Sequence, residues 1–201
     1  MIATTVTLLT LAFGSLSAYT VTRLRLRWVM WLTNLSVFAR FVPIIVVMIP
    51  LYVTFRQLGL LNSVWGVIIA LTGFLLPYGV VILALFRRRT TRARGGRAHR
   101  RLLALWRLSA RHRAAVDPGT GVVRWIFFIV AWNDLLIPLI LNNRAEFMTL
   151  PVVIASLVSD LFVFHNLMMA ICLIALAPSV ILVLLLRRFV VEGLSGGAMK
   201  G

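Results

Sequence analysis

Residues 57–86 read QLGLLNSVWGVIIALTGFLLPYGVVILALF, a run without a charged side chain. A helix needs about 20 consecutive apolar residues to cross the hydrocarbon core of a bilayer. Two further runs, 1–22 and 161–186, also lack charge, and 61% of the 201 residues are hydrophobic. Several runs of this length predict an all-α, polytopic transmembrane helical bundle. A membrane barrel would need alternating strands of about ten residues, and the sequence does not contain them.

The distribution of apolar and charged residues predicts about five spans. The second span contains Pro43 and Pro50 and is too long to cross a bilayer upright, so we expect it to tilt or kink. The stretch TLPVVIASLV, residues 149–158, is too short to span and predicts an interfacial or re-entrant helix. The predicted segments are spans at about 2–22, 28–55, 64–86, 123–141 and 164–186, an arginine-rich loop at 87–122, a loop with the interfacial helix at 142–163, and a tail at 187–201.

The basic residues are divided unevenly between the two sides of this predicted bundle. Segments 23–27, 87–124 and 187–201 hold every one of the 21 basic residues except Arg40, Arg56 and Arg144. Because loops rich in Lys and Arg stay in the cytoplasm, the C-terminus is predicted to be cytoplasmic and the N-terminus external. An external N-terminus leads us to expect that a first, inside-to-outside helix is missing from the chain.

Five stretches, in order, resemble the permease subunit of bacterial binding-protein-dependent carbohydrate ABC importers of the maltose type. They correspond to the end of that family's second helix, to its third helix with the outer loop and the start of the fourth, to its fifth helix, to the outer loop that follows, and to its C-terminal tail. The stretches read GSLSAYTVTRLRLR (14–27), FARFVPIIVVMIPLYVTFRQLGLLNSVWGVII (38–69), FIVAWNDLLIPLIL (128–141), MTLPVVIASLVSD (148–160) and VEGLSGGAMKG (191–201). The resemblance covers the chain except for roughly 87–116. It implies the fold of a type-1 ABC importer permease, whose first helix has no counterpart here.

The resemblance also implies a function and partners. A subunit of this family imports a sugar or related small polar solute across the bacterial cytoplasmic membrane by alternating access. It works with a second permease subunit, cytoplasmic ATPase subunits and an external solute-binding protein. The chain itself would then be a transport subunit and not an enzyme, surrounded by membrane lipid, and we expect no nucleic-acid partner.

The loop that should couple the chain to an ATPase departs from the family pattern. The family carries an E-A-A motif, a glycine and a later L-P in this loop. Here residues 87–101 read RRRTTRARGGRAHRR, and only their register assigns Arg94, Arg97 and Arg101 to the coupling loop. We hypothesise that this segment, which extends to about 116, was translated in a shifted reading frame; a truly divergent loop is the alternative. A block of like charges tends to stay disordered, so we expect weak docking to an ATPase.

Three polar residues are candidates for the solute pathway: Arg40, Asn133 and Asp134. At the helical rise, Arg40 lies about 20 Å beyond Arg27, and Asp134 lies about 15 Å beyond Arg124. Both charges would therefore lie near the middle of the bilayer, where a charge usually faces a partner or a watery cavity. They either line a polar passage or neutralise one another between helices, and Asn133 could equally be an interhelical hydrogen-bonding group.

The sequence offers no constellation for catalysis, metal binding or cofactor binding. Its three histidines share no spacing, and Cys172 is the only cysteine. The glycine-rich phosphate loop G-x-x-x-x-G-K-[ST] is absent, so ATP hydrolysis would belong to a separate subunit. Two other interpretations stay open: an uncoupled permease fragment with a frame-shifted coupling loop, and a membrane-anchored basic protein that binds anionic lipid or nucleic acid.

Overall fold

The computed structural model describes residues 1–21, 31, 35, 38, 41–94, 118–157 and 165–198, and the regular elements in these ranges are all helices. The all-α prediction is therefore confirmed. A short 3-10 turn, Ala145–Phe147, accompanies the α-helices. In chain order the α-helices are α1 (Ile2–Tyr19), α2 (Ile44–Gln57), α3 (Val64–Arg94), α4 (Pro118–Trp132), α5 (Leu136–Leu141), α6 (Leu150–Ser156) and α7 (His165–Ala198).

Three described helices are long and apolar enough to cross a membrane. They are α1, with 18 residues, the part Val64–Leu85 of α3, with 22 residues, and the part His165–Leu185 of α7, with 21 residues. They match the first, third and fifth predicted spans. Both α3 and α7 continue as helix beyond these apolar parts, so the segments predicted as the loop 87–122 and the tail 187–201 begin in helical conformation.

The part of the second predicted span, 28–55, that the structure describes without gaps begins at residue 41 and contains most of helix α2. The 14-residue helix α2 begins at Ile44, directly after Pro43, and contains Pro50. A proline ring disfavours helical geometry in the residue that precedes it, which fits a helix that begins after Pro43. Most of residues 22–40 lie outside the described part of the chain, so the expected tilt of this span stays a prediction.

The fourth predicted span, 123–141, is divided into two helices. Helix α4 ends at Trp132 and α5 begins at Leu136. Pro138 has no N–H, so it cannot donate to the carbonyl of Asp134 as an uninterrupted helix would require. The carboxylate Oδ2 of Asp134 instead accepts the N–H of Ile137 at 3.2 Å, and such a side-chain bond competes with the helical backbone.

The chain divides into two compact units. The first unit comprises Met1–Ala3, Ile44–Leu71 and Ile129–Gly201, and the second comprises Thr4–Pro43 and Thr72–Phe128. In the first unit, α2 packs against α5 and α6 packs against α7. The predicted interfacial segment 149–158 contains the seven-residue helix α6, with Pro151 in its first turn, and its interfacial position stays a prediction.

In the second unit, α1 crosses α3 at a point where both helices carry glycine. A Cβ atom placed on Gly14 would lie 3.3 Å from the carbonyl carbon of Gly79 and 3.3 Å from Cδ1 of Leu83, and one on Gly79 would lie 3.0 Å from Cγ2 of Thr10. As the contacts on α1 move from residue 10 to residue 14, the contacts on α3 move from residue 79 toward residue 83. The two helices therefore run parallel. Parallel packing agrees with the same crossing direction for the first and third predicted spans.

Candidate solute-pathway site

At the interruption between α4 and α5, two side chains join the end of α4 to α7. The indole Nε1 of Trp132 donates to the carbonyl of Ala175 at 3.0 Å. Nδ2 of Asn133 donates to Oγ of Ser179 at 3.3 Å and to the carbonyl of Ile129 at 2.9 Å. We call the group formed by Trp132, Asn133, Ala175 and Ser179 the polar junction.

The polar junction contacts α7 on both sides of a proline. Pro178 lies inside this helix, between the two residues that the junction holds. Because proline has no N–H, the carbonyl four residues earlier loses its helical donor. The two hydrogen bonds from the end of α4 therefore contact α7 on both sides of Pro178.

The predicted residues Asn133 and Asp134 lie together at this interruption, although their side chains have different surroundings. The amide of Asn133 is exposed, whereas Asp134 is half-buried and accepts the N–H of Ile137 at the start of α5. The amide thus lies at the surface of this chain, while the carboxylate is bonded to the backbone at the start of α5.

The other predicted site residues are not placed. Arg40, Arg97 and Arg101 lie outside the described residues, and Arg94 is described only as the last residue of α3. The proposed pairing of Arg40 with Asp134 and the assignment of three arginines to a coupling loop therefore stay predictions.

Sequence reasoning missed Trp132 and Ser179 as partners in the junction. The first was hidden in an apolar run. The second adjoins Pro178 in a long apolar segment, and a hydroxyl beside a proline is a signal that could have identified it, because such side chains can satisfy backbone groups that proline leaves unpaired.

A second polar feature, also missed from the sequence, connects the turn before α3 to the segment after α5. Asn142 is 1% exposed; its Oδ1 accepts the N–H of Ser63 at 3.2 Å, and its Nδ2 donates to the carbonyl of Phe147 at 2.8 Å. Oδ1 of Asn62 accepts the N–H groups of Asn143 at 2.8 Å and Arg144 at 3.0 Å. We call the reciprocal arrangement of Asn62 and Asn142 the asparagine clasp.

The clasp depends on an unusual backbone conformation. Asn62 has a φ of 51°, a left-handed conformation that asparagine tolerates better than most residues. Its own N–H donates to the carbonyl of Leu141 at 2.8 Å. The turn between α2 and α3 is thereby fixed to the end of α5 by backbone and side-chain bonds together.

The chemistry of the polar junction is neutral hydrogen bonding. An amide, a hydroxyl and an indole can exchange hydrogen bonds with hydroxyl groups of a solute, and none of them adds a charge. Among the described residues, no cluster of three or more His, Cys, Asp and Glu side chains could hold a metal ion. The junction is therefore suited to contact with a neutral polar molecule.

Comparison with known proteins shows which proteins the chain resembles in sequence. No protein-family profile matches it. It is 28% identical to the sulfoquinovosyl glycerol transport system permease protein of Agrobacterium fabrum, over 100% of this chain and 71% of the relative. It is also 28% identical to the trehalose transport system permease protein of Mycobacterium tuberculosis, over 97% of this chain and 72% of the relative.

A third relative decides the family. The inner membrane ABC transporter permease protein YcjP of Escherichia coli is 30% identical, over 94% of this chain and 68% of the relative. The chain belongs to the ABC transporter permease family. The resemblance found in the sequence is confirmed, and the protein is a membrane permease subunit. A fragment without transport activity and a membrane-anchored basic protein, the two other interpretations, are not favoured.

Membership in this family accounts for the large apolar surface of the permease. Only 6% of the apolar part of α7 is buried within the chain, and Leu173, Ile174 and Ile181 are more than half exposed. In water such a surface would be very unfavourable, whereas lipid tails or neighbouring apolar helices accommodate it. The exposed apolar side chains of α7 are thus the expected surface of a membrane subunit.

Proposed function

We propose that the permease imports a neutral sugar or a closely related polyhydroxylated solute across the bacterial cytoplasmic membrane. The observation that carries this proposal is the polar junction, which presents an exposed amide at an interruption of an otherwise apolar helix. Transporter binding sites are commonly formed where membrane helices are discontinuous. The relatives named for trehalose and sulfoquinovosyl glycerol transport support a carbohydrate-like solute.

In this proposal Asn133 and Asp134 contribute to the solute pathway in different ways. Asn133 offers an amide to a hydroxyl of the solute. Asp134 maintains the interruption through Ile137 and, in the conformation where Arg40 approaches it, neutralises that arginine. The uncharged side chains of the polar junction favour an uncharged solute, because a charged one would lose hydration there without gaining an opposite charge.

The proposed assembly contains a second permease subunit, cytoplasmic ATPase subunits and an external solute-binding protein. The chain would then have no enzymatic activity and no bound cofactor of its own, and its C-terminus would face the cytoplasm. The uneven distribution of basic residues supports this orientation. The relatives named as ABC transporter permeases support the complex with an ATPase.

Uptake of radiolabelled sugars tests the solute pathway. Cells that express the complete importer would carry the native permease, Asn133→Ala, or Asn143→Ala as a control at another exposed asparagine. One neutral hydrogen bond contributes about 0.5–1.5 kcal/mol, so Asn133→Ala should weaken the apparent affinity for the sugar roughly 2- to 10-fold. Equal uptake kinetics of the two variants would contradict the assigned role of Asn133.

Co-purification tests the assembly separately. A tagged permease extracted in mild detergent should bring an ATPase subunit with it, and ATP hydrolysis should rise when the binding protein and the sugar are added. Extraction of the permease without an ATPase, under conditions that preserve a related importer, would contradict the proposed coupling. It would also favour the interpretation that the arginine-rich segment cannot dock.

A further inference from the structure

We propose that the helical extension of α3 beyond its apolar part binds anionic phospholipid headgroups. The extension comprises residues 86–94, and its binding of lipid would be independent of the solute that the permease carries. Helix α3 runs as one helix from Val64 to Arg94. Its apolar part, Val64–Leu85, contains 22 residues.

The length of α3 places the extension in the headgroup region. At a rise of about 1.5 Å per residue, the apolar part is about 33 Å long, close to the hydrocarbon thickness of about 30 Å. The nine residues after it project about 13 Å further on the same rise. Since the headgroup layer on each side is about 5–8 Å thick, the positions nearest Leu85 lie within it, and Arg94 lies about 5–8 Å beyond its outer boundary.

The extension is rich in arginine and has no acid close to it in the chain. Its sequence is FRRRTTRAR, and the first acidic residue of the whole chain is Asp117. At about 100° per residue, the arginine positions are distributed around the helix axis and not along one stripe. No single side of α3 therefore holds all of the arginine positions. These positions are Arg87, Arg88, Arg89, Arg92 and Arg94.

Phosphate is the counter-charge that this location supplies. A guanidinium group matches two phosphate oxygens through paired hydrogen bonds. Anionic lipids attract a basic segment beside a membrane helix with about 1 kcal/mol per Lys or Arg, which corresponds to roughly a fivefold preference per residue. An RNA ligand would satisfy the same charges, but the short distance between Leu85 and the first arginine favours headgroups, because these are already at that depth.

The continuation of α7 provides an internal comparison. After its apolar part ends at Leu185, α7 also continues as helix, but it carries only Arg187 and Arg188 before the acidic Glu192. A weaker attraction to anionic lipid follows from the smaller and partly compensated charge. The pair Arg187→Gln and Arg188→Gln is therefore a matched control for arginines that follow a membrane helix.

Electron spin resonance with spin-labelled lipids tests the proposal on the full chain reconstituted in phosphatidylcholine bilayers. The fraction of motionally restricted lipid is measured with labelled phosphatidylglycerol and with labelled phosphatidylcholine. The native chain should select phosphatidylglycerol at least severalfold, and about 1 M salt should remove most of that selectivity, since screening shortens the range of the attraction. The variant with all five arginines of the extension changed to Gln should be clearly less selective, although the basic residues of 97–124 remain. The α7 control should retain most of the selectivity.

Three results would overturn the proposal. They are equal association of both lipids with the native chain, selectivity that the five substitutions leave unchanged in a variant with a native thermal transition, and displacement of phosphatidylglycerol by short RNA at physiological salt. The last result would assign the extension to nucleic acid. If the five-residue variant fails to reconstitute, the salt dependence of the native chain decides the question, because selectivity that is insensitive to salt also excludes the arginines as its source.

Discussion

Replacing Asn142 by Ala is the sharpest test of the asparagine clasp. The Asn142 side chain is 1% exposed and joins Ser63 in the turn before α3 to Phe147 in the 3-10 turn. Alanine removes both bonds and leaves one backbone N–H and one carbonyl without their partners. An unsatisfied buried group costs about 1–3 kcal/mol. Because Ser63 and Phe147 are only partly buried, we take the lower half of that range for each group.

The expected loss of stability is therefore about 2–4 kcal/mol. For a domain of 150–250 residues, this corresponds to a decrease in Tm of roughly 4–16 °C. The measurement is thermal unfolding of the purified permease in detergent, followed by tryptophan fluorescence and by size-exclusion chromatography of heated samples. Uptake should fall in proportion to the amount of folded permease, because the clasp lies outside the polar junction.

Asn143→Ala is the matched control for Asn142→Ala. Asn143 is the next residue and is exposed, and it joins the clasp through its backbone N–H, which alanine keeps. An exposed substitution of this kind changes stability by at most about 0.5 kcal/mol. If Asn142→Ala unfolds at the same temperature as Asn143→Ala, the argument that the buried amide fixes the two segments is wrong.

Three further predictions concern packing, the polar junction and the charged pair. Gly66→Ala should destabilise the permease, because the new Cβ would collide with a backbone carbonyl of the preceding turn. Gly73→Ala, whose Cβ would have no atom within 4 Å, should be neutral or stabilising by up to about 1 kcal/mol. Equal thermal unfolding temperatures of the two variants would refute the predicted collision. Trp132→Phe should remove the bond to α7 and cost about 0.6–1.7 kcal/mol, and an unchanged Tm would remove the indole from the junction. Arg40→Ala and Asp134→Ala should each abolish uptake and the double variant should recover part of it, while independent, additive losses would exclude a pair.

Long apolar runs made the membrane spans recognisable, because their length and composition carry the signal. The runs that became α1, α3 and α7 needed no tertiary information. The division of the fourth span was harder to foresee, since Pro138 alone does not end a helix in a membrane. It coincides with a specific bond that the N–H of Ile137 donates to the carboxylate of Asp134, which a hydropathy pattern does not contain.

The polar features show the same difference between composition and geometry. Asn133 was a candidate because it adjoins Asp134, a charge predicted to lie near the middle of the bilayer. Asn62 and Asn142 are separated by 79 intervening residues along the chain and lie at the ends of unrelated apolar runs. Their partnership depends on the close approach of α2, α5 and the start of α3, so it became visible only when the fold was known.

The parallel crossing of α1 and α3 has a consequence for biosynthesis. Gly14 is made before Gly79, and the predicted second span would have to cross the bilayer in the opposite direction before α3 can follow the direction of α1. At about 5–20 residues per second, the ribosome needs roughly 3–13 s to synthesise the second glycine after the first. During this interval the surface of α1 around Gly14 cannot yet pack against α3. Correct insertion therefore depends on lipid or the insertion machinery covering that surface for several seconds.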